Sequence, residues 1–555
     1  MPSPAARMII NSPATSRLNA LTVAGCLAIG ATAWAQHAHH HHEPVEIDAA
    51  ATVGDVVFEA DCDPVQAEQL DRALALLHHM MYVQARAVFA DIKEDDPGCA
   101  MAWWGVATSL FQPLWGTRPG AAELNRGREA VRRASEAVDS EREAALIEAT
   151  AAFFDGPRAR PFRERMDAWI DGMATAYADF SEDADIASLY GLSLLTQAQW
   201  AEADERHQLH DRAESVLRDI WDQRPEHPGA IHYSIHATDV DGRAENALDM
   251  VEAYADIAPR TAHALHMPSH IYVRLGDWDQ VVDWNARSAD AALSEPANGT
   301  ISHHYIHAID YLVYAYLQRG LDDKAERVYR QVLDKGPHQA SFVTAFHFAA
   351  MPARLALEQR DWTAAAELAV REPDYLPWDE SQWAEAMSWF AIGLGQAKTG
   401  RMGEAEQASL RLGELRDQAE QRGETSMARY IETDRLILAG WLAQLNGPNE
   451  EAETLLRRAV AIEDSVEKHP VTPGALYPPR EALGDLLLAQ ERPVAAMDAY
   501  RQADEVWPRR YNTYAGALRA ALVAGDSEAV TAKARRLQAL AGNGQRLEPA
   551  ESVQH

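Results

Sequence analysis

The feature that most constrains the fold of this 555-residue chain is a pattern of small and apolar residues that recurs in one frame. An Ala is followed by a large apolar residue four positions later and by a Pro after twelve, and the pattern returns 34 residues on, in Ala213, Leu217, Pro225, Ala247, Val251 and Pro259. A Gly precedes an Ala by twelve residues at Gly393 and Ala405, Gly440 and Ala452, and Gly484 and Ala496. Small residues let paired helices approach closely, and Pro ends a helix. The period therefore predicts an array of helical hairpins, which lets a long chain avoid one oversized core.

These residues resemble the signature of the tetratricopeptide-repeat family, in which Trp-x2-Leu-Gly-x2-Tyr is followed by Ala-x3-Phe and Pro. The best-matching unit contains Leu483, Gly484, Leu487, Ala496, Tyr500 and Pro508. The resemblance covers about residues 66–540 and is weak between Phe111 and Glu202. It implies an all-α, right-handed α-solenoid of helical hairpins in an exported, bacterial-type member of the family. It also implies a concave groove that binds a protein or peptide partner.

Composition and proline placement predict how the chain is divided. Pro373 and Pro377 interrupt the repeats and favour a connector between two lobes. The predicted parts are a signal peptide at 1–35, a His-rich flexible leader at 36–60, a repeat lobe with the histidine cluster at 61–370, a connector at 371–382, a second repeat lobe at 383–545 and a tail at 546–555.

The N-terminus has the pattern of a secretory signal. Arg7 and Arg17 form a basic flank, an apolar stretch follows, and residues 33–35 match the small-x-small cleavage pattern. We therefore expect an exported protein, either periplasmic or secreted. A lipid anchor at Cys26 is the competing interpretation, but the apolar run continues past Cys26, which favours soluble export. No other stretch approaches the roughly 20 apolar residues of a transmembrane span.

Charge and cysteine content narrow the partners and the compartment. The chain has 84 acidic and 51 basic residues and a net charge of −33. Such a surface repels nucleic acid and anionic lipid, so we expect no nucleic-acid partner. Cys62 and Cys99 remain after cleavage of the signal, and an even number in an oxidising compartment predicts a disulfide between them. The alternative is two separate buried thiols.

The histidines carry the sharpest chemical signal. His232 and His266 are 34 residues apart, as are His236 and His270, and each His-x3-His pair shares one helix face. The family resemblance implies that His307 and Asp310 face the same groove. We predict a divalent transition-metal site, with ring nitrogens within roughly 4–5 Å of one another, in the central repeats. Its candidate ligands are His232, His236, His266, His270, His303, His307 and Asp310.

Several alternatives stay open at this point. The metal is copper, zinc or iron, and the spacing lacks the His-Glu-x2-His of metalloproteases. The chain is a metal-binding scaffold with a partner in its groove, a metalloenzyme using the same cluster, or an assembly scaffold whose histidines only pack. Pro268 predicts a helix break that would spoil the spacing of the 266–270 pair. We expect His303 to lie just before its helix.

Overall fold

The computed structural model describes residues 53–542 apart from 115–117, 241, 296, 298 and 448, and it also describes residue 546. The predicted signal peptide, Cys26, the histidines of the leader and nearly all of the predicted tail lie outside the described residues. The described part is all-α, which confirms the predicted fold class. Its one β-type pairing is an isolated bridge between Ile301 and His338.

The first helices of the described part precede the histidine repeats and are α1 (Ala67–His78), α2 (Tyr82–Asp95), α3 (Ala100–Thr108), α4 (Ala121–Ala137), α5 (Glu141–Phe154), α6 (Phe162–Asp179), α7 (Ala184–Ala198) and α8 (Ala203–Gln223). The central helices are α9 (Pro228–Thr238), α10 (Leu248–Ile257), α11 (Ala262–His266), α12 (Pro268–Leu275), α13 (Trp278–Ala292), α14 (His303–Gln318), α15 (Asp322–Leu333), α16 (Phe342–Glu358) and α17 (Trp362–Ala366). The last helices are α18 (Gln382–Lys398), α19 (Met402–Gln421), α20 (Thr425–Asn446), α21 (Asn449–Glu463), α22 (Pro479–Ala489), α23 (Pro493–Val506), α24 (Tyr511–Ala524) and α25 (Ser527–Ala541).

Consecutive helices pack on one another as hairpins, for example α18 on α19, α20 on α21 and α22 on α23. The glycines of the repeat pattern lie where these helices meet. A Cβ on Gly393 would lie 2.5 Å from the side chain of Leu438. The Tyr500 ring lies between Gly484 and Gly516, whose added Cβ atoms would lie 2.7 and 2.4 Å from it. The period in the sequence therefore marks close helix contacts.

The substitution Gly484→Leu should lower the free energy of unfolding by at least about 1–3 kcal/mol, because the new side chain would overlap the Tyr500 ring. That ring is fixed by a 2.6 Å hydrogen bond from its hydroxyl to Asp485. The control is Gly403→Leu, at a helical position with nothing within 4 Å of an added Cβ. Chemical denaturation of both variants measures the difference. Equal stabilities would contradict the close packing.

A disulfide joins Cys62 to Cys99, with 4.5 Å between their Cα atoms. It links the segment before α1 to the residue that precedes α3. That segment also contributes buried apolar side chains, including Val56 and Phe58, to the core of the first repeats. This is the pair that the cysteine count predicts. The bond holds the segment before α1 against the first repeats.

The hydrophobic core continues through the predicted connector. Leu376, Trp378 and Trp383 are buried in the same cluster as the helices on both sides. The chain makes a short 3-10 turn at Trp378–Glu380, and Arg371 forms a 2.8 Å ion pair with Glu385. The division into two lobes stays a prediction. None of the described helices has the length and apolar character that crossing a bilayer requires.

A non-helical segment, residues 464–478, connects α21 to α22, and we call it the insert. Its three prolines disfavour a helix. Tyr311 in α14 donates a 3.0 Å hydrogen bond to the carbonyl of Pro470, and Arg354 in α16 donates a 2.8 Å hydrogen bond to the carbonyl of Gly474. The insert therefore lies against the histidine repeats.

A buried ion pair also holds the insert against the central repeats. The Lys468 ammonium group lies 2.9 Å from the carboxylate of Asp239, which follows α9. This side of the central repeats, which the family resemblance assigns to an open groove, is thus covered by the chain itself. The protein or peptide partner predicted for the groove stays a prediction.

Candidate metal centre

The structure brings five of the seven predicted ligands into two triads. His232 and His236 of α9 meet His263 of α11, and we call this the first triad. The second triad is His266, His270 and His307. In each triad the candidate ligand atoms lie within 4.8 Å of one another. Histidines 34 residues apart thus belong to adjacent triads rather than to one shared site.

The protonation of the second triad follows from the hydrogen bonds of its Nδ1 atoms. Asn285 donates its amide N–H to the Val281 carbonyl (2.8 Å), so its oxygen accepts from Nδ1 of His266 (2.7 Å). Nδ1 of His270 donates to Asp239 (2.9 Å). Neutral imidazoles that donate through Nδ1 have a lone pair on Nε2. Both residues therefore present Nε2 as an electron-pair donor.

The third ring is oriented through a chain of residues. His347 donates from Nδ1 to Asp310 (2.9 Å), so its Nε2 accepts from Nδ1 of His307 (2.7 Å). Arg354 lies 3.0 Å from the other Asp310 oxygen. Burial favours the neutral form of Asp310, but Arg354 and then His347 outweigh it and lower the pKa of this carboxyl. The charged carboxylate thus holds His307 with its Nε2 lone pair available.

Two of these lone pairs face each other. Nε2 of His266 lies 3.0 Å from Nε2 of His270. Burial, followed by the neighbouring His270 in the case of His266, lowers the pKa of both imidazoles, which favours their neutral forms. Two facing acceptors repel unless a proton or a cation lies between them. Imidazoles on one metal ion, with bonds of about 2.0–2.1 Å, have nitrogens roughly 3–3.5 Å apart, so the geometry fits a transition-metal ion.

The first triad has unsatisfied nitrogens. Nδ1 of His232 donates to the His78 carbonyl (2.6 Å), and its buried Nε2 has no hydrogen-bond partner among the described residues. Nε2 of His236 is also buried without a partner in the described chain. Burial lowers the pKa of His236 to about 3 and that of His232 well below its usual range. Such orphaned nitrogens are costly in a protein interior, and a bound cation would satisfy any of them that presents a lone pair.

A third cluster provides a contrast, because its polar atoms are satisfied. Asp185 accepts from Nε2 of His78 (2.8 Å) and of His227 (3.3 Å). Nδ1 of His227 accepts from the N–H of Ala230 (3.3 Å), and Nδ1 of His78 lies 3.3 Å from the Tyr233 hydroxyl. These hydrogen bonds account for every ring nitrogen in the cluster without a metal. We read it as a packing network.

The other two predicted ligands lie outside the triads. Asp310 is engaged by His347 and Arg354, so it positions His307 through His347. His303 is the first residue of α14, not a residue before the helix, and its ring lies beside His304 at 4.6 Å between centroids.

Sequence reasoning missed His263. The spacing of His263 three residues before His266 on one helix was the available signal.

The break predicted at Pro268 is present, since α11 ends at His266 and α12 begins at Pro268. Its predicted effect on the spacing is wrong. Met267 between the two helices keeps helical angles, with φ −53° and ψ −42°. The His266 and His270 rings therefore stay on one face. Proline fits the first position of a helix because a backbone N–H there would have no partner within the helix.

A cavity of about 30 Å³ adjoins both triads. Its histidine lining is His236, His263, His270, His307 and His469. The rest of the lining is Leu114, Phe342, Val343, Pro470 and Val471. The cavity has room for a water-sized ligand next to the nitrogen atoms, and its other walls are apolar.

No family model matches this chain, and no curated protein matches it. Among solved structures it is similar to the structure titled APC/C hetero-tetramer Cut9-Hcn1, with 12% identity over 86% of this chain and 94% of the other and a TM-score of 0.28. It is also similar to yeast Tom70, with 10% identity over 85% of this chain and 92% of the other and a TM-score of 0.28. At these TM-scores the similarity carries no inference, and the fold rests on the helices described above.

Proposed function

We propose that this chain is an exported helical-repeat metalloprotein whose central repeats bind a transition-metal ion through the two histidine triads. The observation that carries the proposal is the 3.0 Å approach of two Nε2 atoms, on His266 and His270, whose Nδ1 partners make both of them acceptors. Imidazole-rich sites suit copper, zinc or iron. Export is supported by the signal pattern and by the Cys62–Cys99 disulfide, because disulfides persist in oxidising compartments.

Metal analysis of the purified chain tests this proposal. The five histidines of the leader, at 37 and 39–42, are first changed to Ser so that they contribute no loosely bound ion. We expect one or two transition-metal ions per chain, one for each occupied triad. The double variant His236→Ala/His270→Ala removes one imidazole from each triad and should lose this metal while its circular dichroism stays helical.

The matched control is His210→Gln. His210 is also buried, but its Nδ1 bonds to the Ala237 carbonyl (2.9 Å) and it belongs to neither triad. This variant should retain the metal. Stoichiometric metal in the double variant, or none in the parent chain after reconstitution with copper, zinc and iron salts, would return the histidines to a packing role.

The cavity supports a second candidate, a metalloenzyme, because an ion in a triad would have an open coordination position next to a space for a small substrate. Azide added to the copper-loaded protein should then change its absorption spectrum. Val471→Trp would fill the cavity from the insert and should abolish that change while metal content stays constant. A spectrum insensitive to azide in the parent protein would favour a scaffold with a closed site.

A further inference from the structure

A second cavity, of about 80 Å³, lies between the insert, α18, α20 and the end of α21. His469 of the insert lines both cavities. The aromatic lining of the second cavity is Trp383, Tyr430, Tyr477 and Trp507. Its carboxyl lining is Asp434, Glu463 and Glu467.

The aromatic rings form walls. The Trp383 and Tyr430 ring centroids are 4.7 Å apart, and the His469 ring lies 5.6 Å from that of Trp383. Trp507 faces the cavity and donates its indole N–H to Glu463 (2.9 Å). The faces of such rings attract cations.

The Asp434 carboxyl is chemically unusual. It makes no hydrogen bond and no salt bridge with any residue of the described chain. Burial, then the charge of Glu463, raises its pKa to about 8, and Arg354 only partly opposes this. Burial also raises the pKa of Glu463 to about 7, although Arg480 donates to it at 3.0 Å. A cation inside the cavity would supply the missing opposite charge.

The other charged and titratable groups around the cavity do not supply the missing positive charge. Lys468 is paired with Asp239 at 2.9 Å. The Tyr430 hydroxyl donates to the Glu467 carbonyl (2.5 Å). Burial lowers the pKa of His469 to about 4, so this ring is neutral. The Tyr477 hydroxyl donates to Asp485 (2.6 Å).

We propose that this cavity binds a small organic ammonium ion, with Asp434 as its counter-charge and the Trp383 and Tyr430 rings as its walls. The volume is far below the roughly 300–1,000 Å³ of sites for drug-sized molecules, so the ligand is a short aliphatic amine. The net charge of −33 attracts cations to the protein as a whole. This site is independent of the metal centre, and either proposal stands if the other fails.

Titration calorimetry at pH 8 tests the proposal with propylamine, which is protonated at that pH, and with 1-propanol and propionate as neutral and anionic counterparts. We expect propylamine alone to bind. Asp434→Asn should weaken its binding about tenfold or more, since a hydrogen bond between two opposite charges is lost. The control Asp374→Asn removes the same charge from an exposed site outside the cavity and should leave binding unchanged.

The pH dependence of propylamine binding is a second, independent measurement. Asp434 is mostly protonated at pH 7 without ligand, so binding of the ammonium ion should release protons, seen as a binding enthalpy that depends on the ionisation enthalpy of the buffer. Affinity should rise between pH 6 and pH 8.5. Equal binding of 1-propanol and propylamine, or unchanged binding in Asp434→Asn, would overturn the proposal.

Discussion

Replacing Arg510 with Met is expected to lower the free energy of unfolding by about 3–5 kcal/mol, the cost of breaking a buried ion pair by removing one partner. Arg510 is 1% exposed, and its guanidinium lies 2.6 Å from Glu358 and 3.0 Å from Glu481. It also donates to the Tyr314 hydroxyl (2.7 Å). Burial favours the neutral form of Glu358, but Arg510 and then Arg546 outweigh it and lower the pKa of that carboxyl. Without Arg510 two buried acids lose their main counter-charge.

Chemical denaturation of the whole chain measures this loss. The control is Arg501→Met, because Arg501 forms exposed pairs with Asp498 and Glu505 within one helix, and water and salt screen such pairs so that they contribute little to stability. Adding Glu358→Gln and Glu481→Gln to the Arg510 variant should restore much of the stability. A loss below about 1 kcal/mol in Arg510→Met would show that the buried network is not ionised.

Asp434→Asn is expected to stabilise the protein at neutral pH and to leave it unchanged near pH 4. The folded-state pKa of Asp434 is about 8, against 3.8 in an unfolded chain. Between these values the unfolded state loses a proton that the folded state keeps, so the wild-type protein loses stability as pH rises from about 4 to 8. One pKa unit corresponds to about 1.4 kcal/mol, so the cost at pH 7 is of the order of 2–4 kcal/mol, with solvent screening of the partly exposed Asp434 side chain favouring the lower end.

Unfolding curves at pH 4, 6 and 8 measure this dependence. The stability difference between wild type and Asp434→Asn should grow with pH, whereas Asp374→Asn should track the wild type throughout. Saturating propylamine should reduce the difference, because it stabilises the ionised form of Asp434. A difference that is constant with pH would mean that Asp434 is ionised and solvated in the folded protein.

The sequence predicted the repeats well because their physical cause is local. A Gly such as Gly484 must lie opposite a large ring, and its partner Ala is set by the length of one hairpin. It also singled out five histidines that the structure brings into the two triads, because His236 and His270 occupy equivalent helix positions. The separation into two triads and the role of Asp310 were not predictable, since they depend on rotamers and on contacts with His263 and His347 from other helices.

The insert was missed for a different reason. Its partners lie far away in the chain: Lys468 is 229 positions from Asp239, and Pro470 is 159 positions from Tyr311. The repeat frame describes only contacts between neighbouring units. In the sequence, a proline-rich interruption of the repeats therefore predicts a surface loop, although this one is held by buried charges.

The same contacts change how the protein should come apart. A simple repeat array behaves as a one-dimensional chain, in which units fray from either end and each couples only to the next. Here Lys468 and Arg510 connect the C-terminal repeats to Asp239 and Tyr314 of the central repeats. Fraying from the C-terminus cannot pass these residues without exposing the centre, so we expect the repeats from α9 to α24 to unfold together.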